Sequence, residues 1–275
     1  MKIDKTELAF CVELYDKHFT QLINKGFSET DSQRQAIALS FEDGIKCFGI
    51  EKSNLIWRHL ESAHVKRKSG ALIDSDTLSN VKSSFQSWNK SSGHAFEESF
   101  CNSINKRLKD KSIKVFLQKE ISLLIDKNLI SNDTRDLDTI IKWINSSAFD
   151  AYIISENAES IIIFGVVQLK TSIRDRVTRD REPSKIAIDN FFLSIAVALD
   201  GAFLKLPKFS SMVNGNSDLY ESIGWHGMYA YSECQTDNRI YLIDENYDPL
   251  INHLEQAEQK FLKQRQWIDS KWKPE

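Results

Sequence analysis

Asp150-Ala-Tyr-Ile-Ile-Ser155, Ile161-Ile-Ile-Phe-Gly-Val-Val-Gln168-Leu169-Lys170 and the run that follows, Thr171-Ser-Ile-Arg174-Asp175-Arg176-Val-Thr-Arg179-Asp180-Arg181-Glu182-Pro-Ser-Lys185, are the stretch on which the fold turns. The first two pieces are apolar, rich in β-branched residues and of strand length. The polar residues between them, 156–160, make a turn, so the pair predicts a β-hairpin. Asp150 opens the first strand. Lys170 ends the second, where a charge leaving water is costly. An Arg-Asp-Arg triplet follows four residues later. Arginine forks can bind guanine O6 and N7, and a carboxylate can accept from cytosine N4.

Upstream, residues 5–68 read as helices, with Leu8, Cys11, Leu14, Tyr15, Phe19 and Leu22 at helical spacing. A segment of small polar residues at 68–80 then predicts a boundary. The expected organisation is a helical domain over 1–80 and a mixed α/β domain over 81–275. In the latter, Ser91-Ser92-Gly93 opens a helix striped by Phe96, Phe100, Ile104 and Leu108. A strand is expected at 113–117, with helices at 120–130 and 137–144. Pro183 suits the first position of a helix running through Ile186, Phe191, Phe192, Ile195, Val197 and Leu199. Edge strands at 228–232 and 239–243 and an amphipathic helix at 249–267 complete an α/β chain, a mixed sheet flanked by helices.

The 275 residues are 41% hydrophobic and 27% charged, ordinary for a globular protein. With 36 basic against 39 acidic residues the net charge is -3, which counts against a passive nucleic-acid coat. The basic charge is local. Lys170 to Lys185 holds six basic residues and three acidic ones, and a second basic run is His64-Val-Lys66-Arg67-Lys68. Basic stripes on an acidic body suit DNA binding on one face. The four cysteines, Cys11, Cys47, Cys101 and Cys234, form no Cys-x-x-Cys pair, and none of the six histidines has metal-ligand spacing. Reduced thiols in a cytoplasmic protein are therefore expected. No apolar run approaches the roughly 20 residues of a membrane span. Neither a membrane nor a nucleotide cofactor is expected as a partner.

Phosphodiester cleavage needs an activated water, a sink for transition-state charge and protonation of the leaving oxygen. Magnesium held by carboxylates supplies the first two. Asp150 is the main candidate metal ligand, with the carbonyl of Leu169 or Gln168 able to complete the shell. Lys170 would orient the water or stabilise the scissile phosphate. Glu97 and Glu98 stand beside the apolar stripe of their helix, with Glu97 the better placed to face the sheet edge. Each also has a plain reading. Lys170 alone marks a strand leaving a sheet, the triplet alone is a solvated charge cluster, Glu97 and Glu98 are ordinary helix formers, and His94 is a first-turn residue. The tryptophans, among them Trp57, Trp88, Trp143 and Trp225, read as core anchors.

Taken together, an acidic helix residue, an Asp at a strand start and an x-x-Lys on the next strand resemble the PD-(D/E)xK nucleases. The continuation Lys170-Thr-Ser-Ile-Arg174-Asp175-Arg176 is similar, more narrowly, to the CCGG-recognising type II restriction endonucleases. The resemblance covers roughly residues 93–184. It implies a restriction-endonuclease-like sheet and a bacterial, Mg²⁺-dependent enzyme. As a homodimer, or a higher homo-oligomer as in some relatives, the enzyme would cut both strands of double-stranded DNA at a palindrome containing CCGG, leaving 5′ overhangs with 5′-phosphates. It implies that Arg174, Asp175 and Arg176 read the bases; Arg179 and Arg181, read from their own charge, are expected to touch the DNA backbone. Gln168 stands where the motif names Asp or Glu, and Phe149 where it names Pro. In the family a second carboxylate then comes from the following helix. Glu182 is the nearest candidate, at an offset slightly shorter than usual. Three other readings stay open: a nuclease of the same fold acting in recombination or repair, a catalytically inactive sequence-specific DNA-binding protein, and a helical interaction protein with accidental motifs.

Overall fold

The helical spacing of Cys11, Tyr15, Phe19 and Leu22 is realised in α1 (Lys5–Asn24), whose buried face carries these four side chains. The computed structural model describes residues 5–69, 75–131, 137–157, 160–171, 177–263 and 267–275. They gather into two compact units, Met1–Ser99 and Phe100–Glu275, divided further along the chain than the boundary expected at residue 80.

The first unit is helical. After α1 come α2 (Glu29–Phe48), α3 (Ser53–Ser69) and most of α4 (Ser75–Arg107). The Ser28 hydroxyl caps α2 by accepting from the Asp31 N–H at 3.1 Å. Trp57 lies edge-on to Phe41 at 4.7 Å and to Trp88 at 5.6 Å between ring centroids, so both indoles are core anchors. Ser91-Ser92-Gly93 does not open a helix. It lies inside α4, where Ser91 and Ser92 are buried, so small side chains that read as a cap are packing residues.

The second unit is built on a seven-stranded mixed sheet among the described residues. In chain order it holds β1 (Ile113–Leu117), α5 (Gln118–Asp126), β2 (Ile130–Ser131), α6 (Leu137–Asn145), β3 (Ala151–Glu156), β4 (Ile161–Lys170), α7 (Val177–Asp189), β5 (Leu193–Ala198), α8 (Pro207–Asn214), β6 (Gly227–Ala230), β7 (Ile240–Leu242) and α9 (Asp248–Glu258). The strands run β1-β3-β4-β5-β6-β7, with β2 also on β4. β1, β3 and β4 pair antiparallel, and β4 through β7 pair parallel. Tyr152, Ile154 and Val166 pack with Ile121, Trp143 and Ala187 of α5, α6 and α7. On the other face, α9 bonds to the strands through His253 with Tyr229 and through Glu258, which accepts from Ser112 and Ser155.

Three sequence expectations are corrected here. α7 starts at Val177, six residues before Pro183, which lies inside the helix. The helix ends at Asp189. Leu193–Ala198 is not its continuation but β5, a strand buried at all six positions. A parallel interior strand is covered on both faces and reads as a continuous apolar run, which periodicity cannot separate from a buried helix. β6 is likewise interior and buried at all four positions, so of the two expected edge strands only β7 lies at an edge.

Candidate active site

Ala151 lies opposite Val167 in the β3–β4 ladder, so the residue before β3 and the residue ending β4 meet at one end of the sheet. Asp150 is fixed there by its backbone: its N–H donates to the Val167 carbonyl at 3.0 Å, and its carbonyl accepts from the Gln118 N–H at 3.3 Å. Its Oδ2 accepts from the Leu169 N–H at 2.6 Å and from Lys170 Nζ at 3.2 Å. Lys170 Nζ also lies 3.6 Å from Asp180 Oδ2, on the first turn of α7, an ion pair at that distance rather than a hydrogen bond. The side chains of Asp150, Lys170 and Asp180 are 22%, 18% and 15% exposed, which leaves one cation between two carboxylates, largely out of water. Burial raises the Asp180 carboxyl above the usual carboxylate range. The Lys170 ammonium pulls it back, and the Asp150 carboxylate adds to the rise.

Asp180 was not among the residues singled out from the sequence. Asp180, Ser184, Ala187 and Ile188 form one inward stripe of α7, and Ser184, Ala187 and Ile188 are buried. Glu182 is two residues from Asp180, about 200° round the helix, and is exposed. The geometry therefore brings Asp180, not Glu182, to Lys170. A helix begun at Val177 would have revealed the stripe.

Arg181 is turned into the protein: its Nε donates to the Met212 carbonyl at 3.2 Å, its Nη2 donates to the Ser222 carbonyl at 2.5 Å, and its guanidinium lies over the Tyr220 ring. That is a structural anchor, not a group presented to a phosphate. Arg179 is exposed. Arg174, Asp175 and Arg176 lie outside the described residues. Glu97 pairs with His94 at 3.2 Å and Glu98 with Arg34 at 3.3 Å, all within the helical unit. In the second basic run, Arg67 pairs with Asp16 and Lys68 with Glu29.

The residues present fit a hard divalent cation. Asp180 Oδ2 is buried with no hydrogen-bond partner among the described residues. No group of three or more His, Cys, Asp and Glu is placed to hold a metal among those residues. The two carboxylates, Asp150 and Asp180, suit magnesium, which uses one or two protein carboxylates and keeps several waters.

Sequence comparison extends this. A family model described as BsaWI restriction endonuclease type 2 matches residues 135–267, a span that includes Asp150, Lys170 and Asp180. The structure titled pre-specific restriction endonuclease BsaWI–DNA complex is 41% identical to this chain, covers 97% of it and 98% of its own length, and superposes with a TM-score of 0.70. This chain belongs to the BsaWI-type family of type II restriction endonucleases. The fold alone is shared with a second structure, the specific restriction endonuclease AgeI–DNA complex, at 19% identity, 88% and 90% coverage and a TM-score of 0.58. No curated protein sequence matches the chain. As a BsaWI-type endonuclease the protein is a site-specific deoxyribonuclease, so the readings as an inactive DNA-binding protein or an interaction protein fall away. BsaWI-type enzymes are of a class that typically needs a divalent metal. No helix among the described residues is long and apolar enough to cross a membrane.

Proposed function

We propose that this endonuclease cuts both strands of palindromic duplex DNA containing CCGG, as a homodimer using Mg²⁺, and leaves 5′ overhangs with 5′-phosphates. The observation that carries it is the Lys170 ammonium held between the Asp150 and Asp180 carboxylates, four residues before Arg174-Asp175-Arg176. Asp150 and Asp180 would hold the cation, Asp180 taking the role that the family resemblance gave to Glu182. Bound magnesium supplies charge neutralisation at the scissile phosphate and acidifies water. Lys170 orients the attacking water and donates to the phosphate oxygen that gains charge. Arg174 and Arg176 each donate two bonds to a guanine, and Asp175 accepts from neighbouring cytosines. Exposed Arg179 contacts the backbone. Twofold symmetry then reads the palindrome. Both similar structures are DNA complexes, which supports duplex DNA as the partner.

The test is digestion of a plasmid of known sequence with and without Mg²⁺, followed by mapping of the ends. Discrete Mg²⁺-dependent fragments ending at CCGG-containing sites, with recessed 3′ strands, are expected. Fragments ending elsewhere would overturn the CCGG assignment, and blunt or 3′-extended ends would overturn the cut position.

A further inference from the structure

We propose that Gln168 is a positioning residue, whose side-chain amide ties the backbones carrying both acids of the site to the strand that carries Lys170. This rests on the reading of Asp180 as the second acid. Gln168 is two residues before Lys170 on β4 and 1% exposed. Its Oε1 accepts from the Trp225 indole N–H at 2.8 Å. An indole N–H can only donate, so the amide orientation is fixed and Nε2 faces the other way. There Nε2 donates to the Asp180 carbonyl at 2.9 Å and, more weakly, to the Ala148 carbonyl at 3.4 Å. One of those carbonyls belongs to Asp180 itself, and the other lies two residues before Asp150.

The partner segment is held as well. Arg181 bonds to the Met212 and Ser222 carbonyls, and the Ser184 hydroxyl donates to the Gly224 carbonyl at 2.5 Å, beside Trp225. Gln168 therefore ties the end of β4 to the first turn of α7, next to the point where Arg181 and Ser184 anchor that helix. The amide explains why the motif's acid is missing. A carboxylate at 168, shielded from solvent like Gln168, would face two carbonyl oxygens, a buried charge with one donor.

The test uses the full chain with Gln168→Leu, Gln168→Glu and Trp225→Phe. The readouts are Mn²⁺ affinity by electron paramagnetic resonance, amide hydrogen exchange across the first turn of α7 in metal-free protein, and cleavage against metal concentration. Orienting partners of metal ligands are typically worth 10- to 100-fold in affinity. Gln168→Leu and Gln168→Glu are expected to weaken Mn²⁺ binding at least tenfold and to speed exchange in that turn. Cleavage should recover in part at high metal, and Trp225→Phe should shift in the same direction by less. Mn²⁺ affinity and exchange within twofold of wild type, with only a lowered Tm, would make Gln168 a core residue and overturn the proposal. Gln168→Glu cutting as well as wild type would overturn it too. If the Gln168 variants do not fold, Trp225→Phe, which keeps the ring buried, decides by the same criteria. Asp180→Asn separates the two readings. Wild-type metal affinity in Asp180→Asn sinks the reading of Asp180, whereas its loss there with unaltered Gln168 variants sinks only the positioning role.

Discussion

Lys170 and Asp150 each have a partner that only the fold supplies, since twenty residues of chain separate them and 3.2 Å of space joins them. Asp150→Asn keeps the shape and the bond from Leu169 N–H but removes the charge. Lys170→Ala leaves two carboxylates facing each other without a cation. Each is expected to lower cleavage by roughly a hundredfold to a thousandfold, the scale of losing one electrostatic group at a reacting centre, while specific DNA binding persists. Single-turnover cleavage beside filter binding checks this, and wild-type cutting by either variant would displace the site. Both residues were legible in the sequence because an acid opening one strand and a lysine closing the next are local features of a hairpin. Asp180 was not. Its visibility depended on where α7 starts, and taking Pro183 as the first position hid the stripe running from Asp180 to Ile188. Gln168 looked like a departure from a motif because its three partners are distant in sequence or are backbone carbonyls.

The elements themselves were legible where their periodicity was one-sided. The α1 stripe and α6 stand where a one-sided pattern put them, and the β3–β4 hairpin, though buried on both faces, is marked by the polar stretch between its strands. β5 and β6, covered on both faces, gave no alternation to read. Arg179 and Arg181 illustrate the same limit on one helix: adjacent in chemistry, they differ in what surrounds them. Arg181→Ala leaves the Met212 and Ser222 carbonyls without their donor and uncovers Tyr220, so a loss of roughly 1–3 kcal/mol in unfolding free energy is expected. The salt dependence of DNA binding should not change. Arg179→Ala should do the opposite, leaving Tm unaltered while the slope of log K against log salt falls by about one. Denaturant melts and binding isotherms at several salt concentrations distinguish the two, and a reversed pattern would return Arg181 to the DNA-contacting set.

At the scale of the whole molecule, pH acts through histidines held neutral. His226 is 1% exposed; its Nδ1 accepts from the Ser194 N–H at 3.0 Å, and its Nε2 lies 3.0 Å from the Asp269 carbonyl. Burial pushes its pKa down to about 4, with the Asp269 carbonyl bond and carboxylate opposing and Arg239 assisting. The unfolded chain takes up this proton near pH 6.5 and the native one only near 4, so stability is lost as pH falls through that window. About 2 kcal/mol should go between pH 7 and pH 5 from this site. Urea titrations at the two pH values check it, and equal midpoints would mean His226 is already protonated in the native state. The mixed sheet has a last consequence, in the order of events during folding. The hairpin that brings Asp150 to Lys170 closes over a few residues, whereas the parallel pairing of β4 with β5 must wait for the α7 crossover to form and dock, and long-range closure is slow. The lysine should therefore meet its first carboxylate early and its second late. Pulse-labelled hydrogen exchange during refolding should show β3 and β4 amides protected before those of β5 and β6, and simultaneous protection would refute this order. A chain still emerging from the ribosome would hold half a cutting site, and DNA near it would be safe until the sheet is finished.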